Sequence, residues 1–100
     1  MMGLNKNELN HLEGIFIKVP HVERAVLFGS RAIGTHRNGS DVDIAVYGSG
    51  LSSLDILTLL HLVEETMLPY MFDFIIPEAD NIILSDHINT VGIEIYRSTR

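Results

Sequence analysis

Residues 41–47 read Asp-Val-Asp-Ile-Ala-Val-Tyr, two carboxylates at the head of an apolar run. Side chains along a strand alternate between faces. As a strand, this segment puts Val42, Ile44 and Val46 on a buried face and Asp41 and Asp43 together on the other. Carboxylates are costly to bury unpaired, and neighbouring ones raise each other's pKa unless a cation intervenes. The stretch therefore commits one face of a sheet to the core and asks for a positive partner on the other. Ala45 follows the acids on their side, and its small side chain leaves room beside them.

The flanking sequence supplies the rest of an α/β chain. Asn5 to Lys18 reads as a helix, with Asn5 and Glu8 in capping positions, Leu9, Leu12 and Phe16 on one face, and Pro20 as its stop. Val22 to Phe28 reads as a strand ended by Gly29-Ser30. Arg31 to Gly34 fits one helical turn, followed by a polar loop, Thr35 to Ser40. After the Asp41–Tyr47 strand, Ser52 and Asp55 cap a helix running to about Met67, whose Leu54, Leu57, Leu60 and Met67 are read as core. Tyr70 to Ile76 is a third strand carrying a single acid, Asp73, with Tyr70, Phe72 and Phe74 as core. Asp80 to Val91 gives a last helix with Leu84, Ile88 and Val91 along one side and Gly92 as its C′ stop. Ile93 to Tyr96 adds a short fourth strand, and Arg97 to Arg100 reads as a frayed basic tail.

One hundred residues fit a single domain over 1–100. There is no cysteine, which removes a disulfide framework and a thiolate zinc site. A formal net charge of −6 argues against sequence-independent nucleic-acid binding, which needs a surplus of Lys and Arg. No stretch is long and apolar enough for a membrane span, and the N-terminus lacks a secretory segment, so a soluble cytoplasmic protein is expected.

If the third strand pairs beside the second, Asp73 joins Asp41 and Asp43. Three oxygen donors without cysteine suit Mg²⁺ or Mn²⁺ rather than zinc, and magnesium favours sites completed by substrate phosphates. Gly29 lets the backbone approach a ligand closely. The Ser30 hydroxyl and the N–H groups after it suit phosphate oxygens, with Arg31 and Arg37 as further cations. His36 lies in the loop and is read as a plain loop residue. His61 and Glu64 share a helix face that is most simply solvated. His11, His21 and His87 are scattered.

The combination of a strand, Gly29-Ser30, ten residues (Arg31 to Ser40), Asp41-Val42-Asp43 and a later strand bearing Asp73 resembles the nucleotidyltransferase superfamily typified by DNA polymerase β. The string GSRAIGTHRNGSDVDIAV is similar to its minimal nucleotidyltransferase (MNT) subgroup, and LPYMFDFII and GIEIY look like equivalent segments. The resemblance implies a nucleotidyltransferase fold, α/β (α+β), with a small mixed sheet of three to four strands packed with helices. It implies two divalent ions and ATP, with transfer of NMP to a hydroxyl. Asp41, Asp43 and Asp73 would then bind metal and serve catalysis, with Asp73 helping to activate the attacking hydroxyl, while Gly29 and Ser30 hold the triphosphate and Arg31 assists. The implied partner is a helical HEPN-domain toxin, neutralised by adenylylation of a tyrosine. Larger relatives carry an added domain for base or acceptor, for which this chain has no residues left. Two other readings stand beside this one: an antitoxin that neutralises by contact alone, and NMP transfer to a small molecule. Exposed strand edges also suit a homodimer or hetero-oligomer.

Overall fold

The Asn5 side chain accepts the Glu8 N–H at 2.8 Å, and Glu8 Oε1 accepts the Asn5 N–H at 3.0 Å. This reciprocal cap satisfies two helix-end donors and starts α1 (Lys6–Ile17). The protein is described by a computed structural model over residues 3–37 and 39–99; Met1, Met2, Asn38 of the polar loop and Arg100 of the tail lie outside the described residues. Beyond α1 the order is β1 (Arg24–Phe28), α2 (Ser30–Ile33), β2 (Val42–Tyr47), α3 (Ser53–Glu65), β3 (Phe72–Ile75), α4 (Ile82–Val91) and β4 (Ile93–Arg97). Ser52 and Asp55 form a second capping box at the start of α3.

The four strands form one mixed sheet in the order β3-β2-β1-β4. β1 pairs antiparallel with β2 and β4, whereas β2 and β3 run parallel. A parallel pair needs a crossover, and residues 48–71, with α3 at their centre, provide it. The expected mixed sheet packed with helices is the observed fold.

Strand alternation divides the core. Ala25 and Leu27 of β1, Val42, Ile44 and Val46 of β2, Phe74 of β3 and Tyr96 of β4 face α1 and α3. They meet Leu12, Ile15, Phe16, Leu59 and Val63 there. Phe16 stands edge-on to Phe74 and against Tyr96, at centroid distances of 6.2 and 5.3 Å. On the other face Val26, Phe28 and Ala45 pack against Ile88 of α4.

Several expectations are corrected here. Leu54 and Leu57 are exposed, not core, and so is Met67. The apolar positions of α3 make two overlapping stripes, and the helix turns the one through Ile56, Leu59, Leu60 and Val63 inward. Met67 lies past the helix end in a left-handed conformation (φ 57°) that carries it into solvent. Ala45 leaves no room beside the acids: it is fully buried, and its small side chain lets α4 settle on the sheet. Gly92 ends α4 with φ −63°, not left-handed. It is glycine because a Cβ there would overlap the Ile88 carbonyl and Val26. The tail is held further than expected, since Arg97 closes β4 and the Ser98 N–H donates to the Glu23 carbonyl at 2.7 Å. No helix among the described residues is long and apolar enough to cross a membrane.

Candidate active site

The register across three strands builds the site. Phe28, the last residue of β1, is opposite Asp43 of β2, and Asp43 is opposite Asp73 of β3. Asp43 and Asp73 thus occupy neighbouring positions, on the sheet face that carries Ala45 and Ile75. Asp41 immediately precedes β2 and is exposed, as is Asp73, while Asp43 is half-buried.

Gly29 follows Phe28 directly and crosses beside Asp43. Its φ of +76° lies in the left-handed region, and a Cβ would overlap an Asp43 carboxylate oxygen. Both facts require glycine here. The Gly29 carbonyl accepts the Ala32 and Ile33 N–H groups at 3.1 and 3.2 Å, which winds Ser30 into α2.

The electrostatics follow from this crowding. Burial pushes the Asp43 carboxyl above its usual range, and the nearby charges of Asp73 and Asp41 push it further, against an opposing effect of His87. Such a group gains most from a cation. Among the described residues no three His, Cys, Asp or Glu side chains close around a single ion-sized point. The donors are nevertheless of the type suited to a hard divalent cation that keeps waters and takes its other ligands from phosphate.

Arg31 makes contacts that its place after Ser30 does not announce. Its side chain is buried, with Nη2 donating to the Ser40 carbonyl at 2.9 Å and Nε to the same oxygen at 3.3 Å. The guanidinium also lies over the Tyr70 ring, 4.8 Å from its centroid. It clamps the two ends of the loop between Ser30 and Asp41 and so helps fix where β2 starts. Tyr70 in turn donates to Glu8 Oε1 at 2.9 Å, tying the clamp to α1. Arg37 is exposed, and its N–H donates to Ser40 Oγ at 2.8 Å. His36 is half-buried beside the Tyr70 cleft, with its Nδ1 buried and unpartnered among the described residues. His61 pairs with Glu65 rather than Glu64, at 3.6 Å on an exposed face of α3, as a solvated surface would.

Sequence reasoning missed His87. It sits on α4, where its Nε2 accepts the Gly29 N–H at 3.3 Å and its ring stands edge-on to Phe28, 6.1 Å between centroids. Its place just before Ile88, the buried residue of α4, was the available signal.

The family of nucleotidyltransferases described as "Polymerase beta, Nucleotidyltransferase" matches residues 10–100. The chain belongs to this family. Among solved structures, a toxin–antitoxin complex with AMP-PNP matches with a TM-score of 0.74 and 22% identity, over 91% of this chain and 74% of the other. A mutant of the toxin–antitoxin pair MntA–HpeT matches at 0.70 and 25% identity, over 96% and 75%. A tri-AMPylated Shewanella oneidensis HEPN toxin in complex with its MNT antitoxin matches at 0.59 and 21% identity, over 90% and 73%. These neighbours agree with the resemblance to minimal nucleotidyltransferases. Among curated proteins, none matches the chain significantly.

Proposed function

We propose that this protein is an antitoxin that transfers AMP from ATP to a hydroxyl of a partner protein, a tyrosine of a HEPN toxin. The observation that carries this reading is the lateral pairing of Asp43 with Asp73 beside the Gly29 turn, with Asp41 two residues before Asp43. A binding-only protein has no need to gather acids at a cost to its own electrostatics.

Asp41, Asp43 and Asp73 would hold Mg²⁺ or Mn²⁺, which supplies charge neutralisation for the triphosphate and the attacking oxygen. The chain's own groups do the rest. The Gly29–Ser30 turn brings the Ser30 hydroxyl to the phosphates, and Gly29 admits them closely by lacking a Cβ. Asp73, the more exposed member of the paired acids, accepts the proton of the incoming hydroxyl. The hydroxyl oxygen bonds to the α-phosphorus as the bond to the β-phosphate oxygen breaks, and pyrophosphate leaves. Arg31 acts from the far side, holding the loop that delivers Asp41.

Two similarities support the partner: an AMPylated HEPN toxin occurs in one neighbour structure, and AMP-PNP in another. Incubation with Mg²⁺, labelled ATP and the HEPN protein encoded alongside is expected to label that protein, and Asp43→Ala to abolish labelling. Normal labelling by Asp43→Ala would remove the proposed site.

Contact-only neutralisation is favoured by one feature, the exposed apolar side chains Leu54 and Leu57 of α3 and Ile82 and Ile83 of α4. Suppression of toxicity by wild type without any label transfer would establish it.

A further inference from the structure

His87 links three parts of the molecule at one point. The α4 helix that carries it starts at the cap of Asn81, whose side chain accepts the Leu84 N–H at 3.2 Å. The helix is anchored on the sheet by Ile88, which is 3% exposed and packed with Val26, Phe28 and Ala45. The ring edge rests on Phe28, the strand partner of Asp43. Nε2 receives the N–H of Gly29, the residue whose backbone passes against the Asp43 carboxylate. Accepting that bond uses the Nε2 lone pair.

Gly29 joins two peptides held by different partners, its N–H at the end of β1 and its carbonyl at the start of α2. Glycine can rotate at φ > 0 as readily as at φ < 0, so the conformation that avoids the Asp43 carboxylate is not enforced by a side chain. The carbonyl of Gly29 is committed to the first turn of α2, whereas its N–H points out of that turn toward α4. Whatever holds the N–H therefore fixes the plane of the Phe28–Gly29 peptide, from which the left-handed Gly29 φ turns the chain into α2.

We propose that His87 is a positioning residue for the Gly29–Ser30 turn: by accepting the Gly29 N–H it locks the turn beside Asp43 and orients Ser30 toward the nucleotide phosphates. Through this bond α4 governs the nucleotide site without contributing a metal ligand. The proposal rests on the nucleotidyl-transfer reading for its consequence, but not for the bond itself.

Two substitutions separate the hydrogen bond from packing. His87→Phe keeps a ring against Phe28 and removes the acceptor; His87→Gln offers an amide oxygen and gives up the ring. Amide hydrogen exchange at Gly29, measured without nucleotide, is expected to rise about five- to tenfold in His87→Phe and to stay near wild type in His87→Gln. In AMP transfer to the HEPN partner, KM for ATP is expected to rise about five- to tenfold in His87→Phe with kcat within threefold, and to be largely restored in His87→Gln. Thermal midpoints report whether either variant simply loosens α4. Unchanged Gly29 exchange and KM in His87→Phe overturns the proposal. So does equal impairment of the two variants in step with a lowered midpoint, since packing alone would then account for the effect. If wild type transfers no AMP, the catalytic reading fails, and the exchange comparison by itself decides whether His87 holds the turn.

Discussion

The two faces of the sheet are built to different ends. Toward α1 and α3, Phe16, Leu27, Ile44, Val42 and Leu59 form a continuous apolar layer at full burial. Toward α4 the layer shrinks to Val26, Phe28, Ala45 and Ile88, and then gives way to Asp43, Asp73 and the Gly29 turn. The first face supplies stability from area buried. The second gives up some of that gain to gather like charges at its open corner, the trade seen where a site is made at the expense of the fold. Removing a charge from the second face should accordingly raise stability, whereas truncating the first face should lower it.

The sharpest contrast comes from Asp43→Ala. AMP transfer is expected to fall by about three orders of magnitude or more, read as label on the partner, because in the proposed reaction this residue holds the cation beside the reacting phosphate. The apo protein's thermal midpoint should nevertheless rise by about 2 °C, since removing a half-buried carboxylate relieves repulsion from Asp41 and Asp73. A fall in midpoint would break the comparison. On the other face Phe16→Ala is expected to cost about 3–5 kcal/mol in denaturant unfolding.

Gly29→Ala combines both effects. The left-handed φ and the overlap with Asp43 should cost about 1–3 kcal/mol of stability and weaken nucleotide binding as well, which calorimetric titration with ATP and Mg²⁺ can follow.

Asp55→Ala tests the structural face away from the site. It removes the capping box of α3 and the 3.0 Å contact with His21, at a cost of about 1 kcal/mol. The two acids also respond oppositely to pH. The hydrogen bond from His21 holds the Asp55 carboxyl below its ordinary 3.8, so its contribution is present above 3.8 and is lost as pH falls through the native value. Asp43 is raised above 3.8, so its contribution is present below 3.8 and is lost as pH rises through the native value. Acid unfolding of Asp55→Ala and Asp43→Asn beside wild type separates these slopes. The smallest effect is expected for Leu57→Ser, within about 0.5 kcal/mol in denaturant unfolding, because this leucine is on the exposed stripe.

What the sequence revealed follows the range of the interactions concerned. Both capping boxes were legible because Asn5–Glu8 and Ser52–Asp55 act across three residues. The alternation of β2 was legible because Val42, Ile44 and Val46 alternate with the acids and a small alanine. The inward stripe of α3 was not, because a helix apolar on most sides does not state which side is covered; only docking on the sheet selects Leu59 and Val63. The contacts of Arg31 with Ser40 and Tyr70 were not legible, because the length of its side chain carries the guanidinium away from its sequence neighbour Ser30. His87 depends on where α4 crosses the sheet, a distance 58 residues long in sequence that no local pattern encodes.

The parallel pairing of β2 with β3 has a consequence for how the protein comes into being. Positions 43 and 73 meet only after the whole crossover between them has been laid down and α3 has closed over the core. Contacts so distant in sequence are costly to form early, because the intervening loop must be closed before they repay it. The pairing of Asp43 with Asp73 is thus expected late on the way to the native state, and under the proposed reading a half-assembled chain would lack the paired acids.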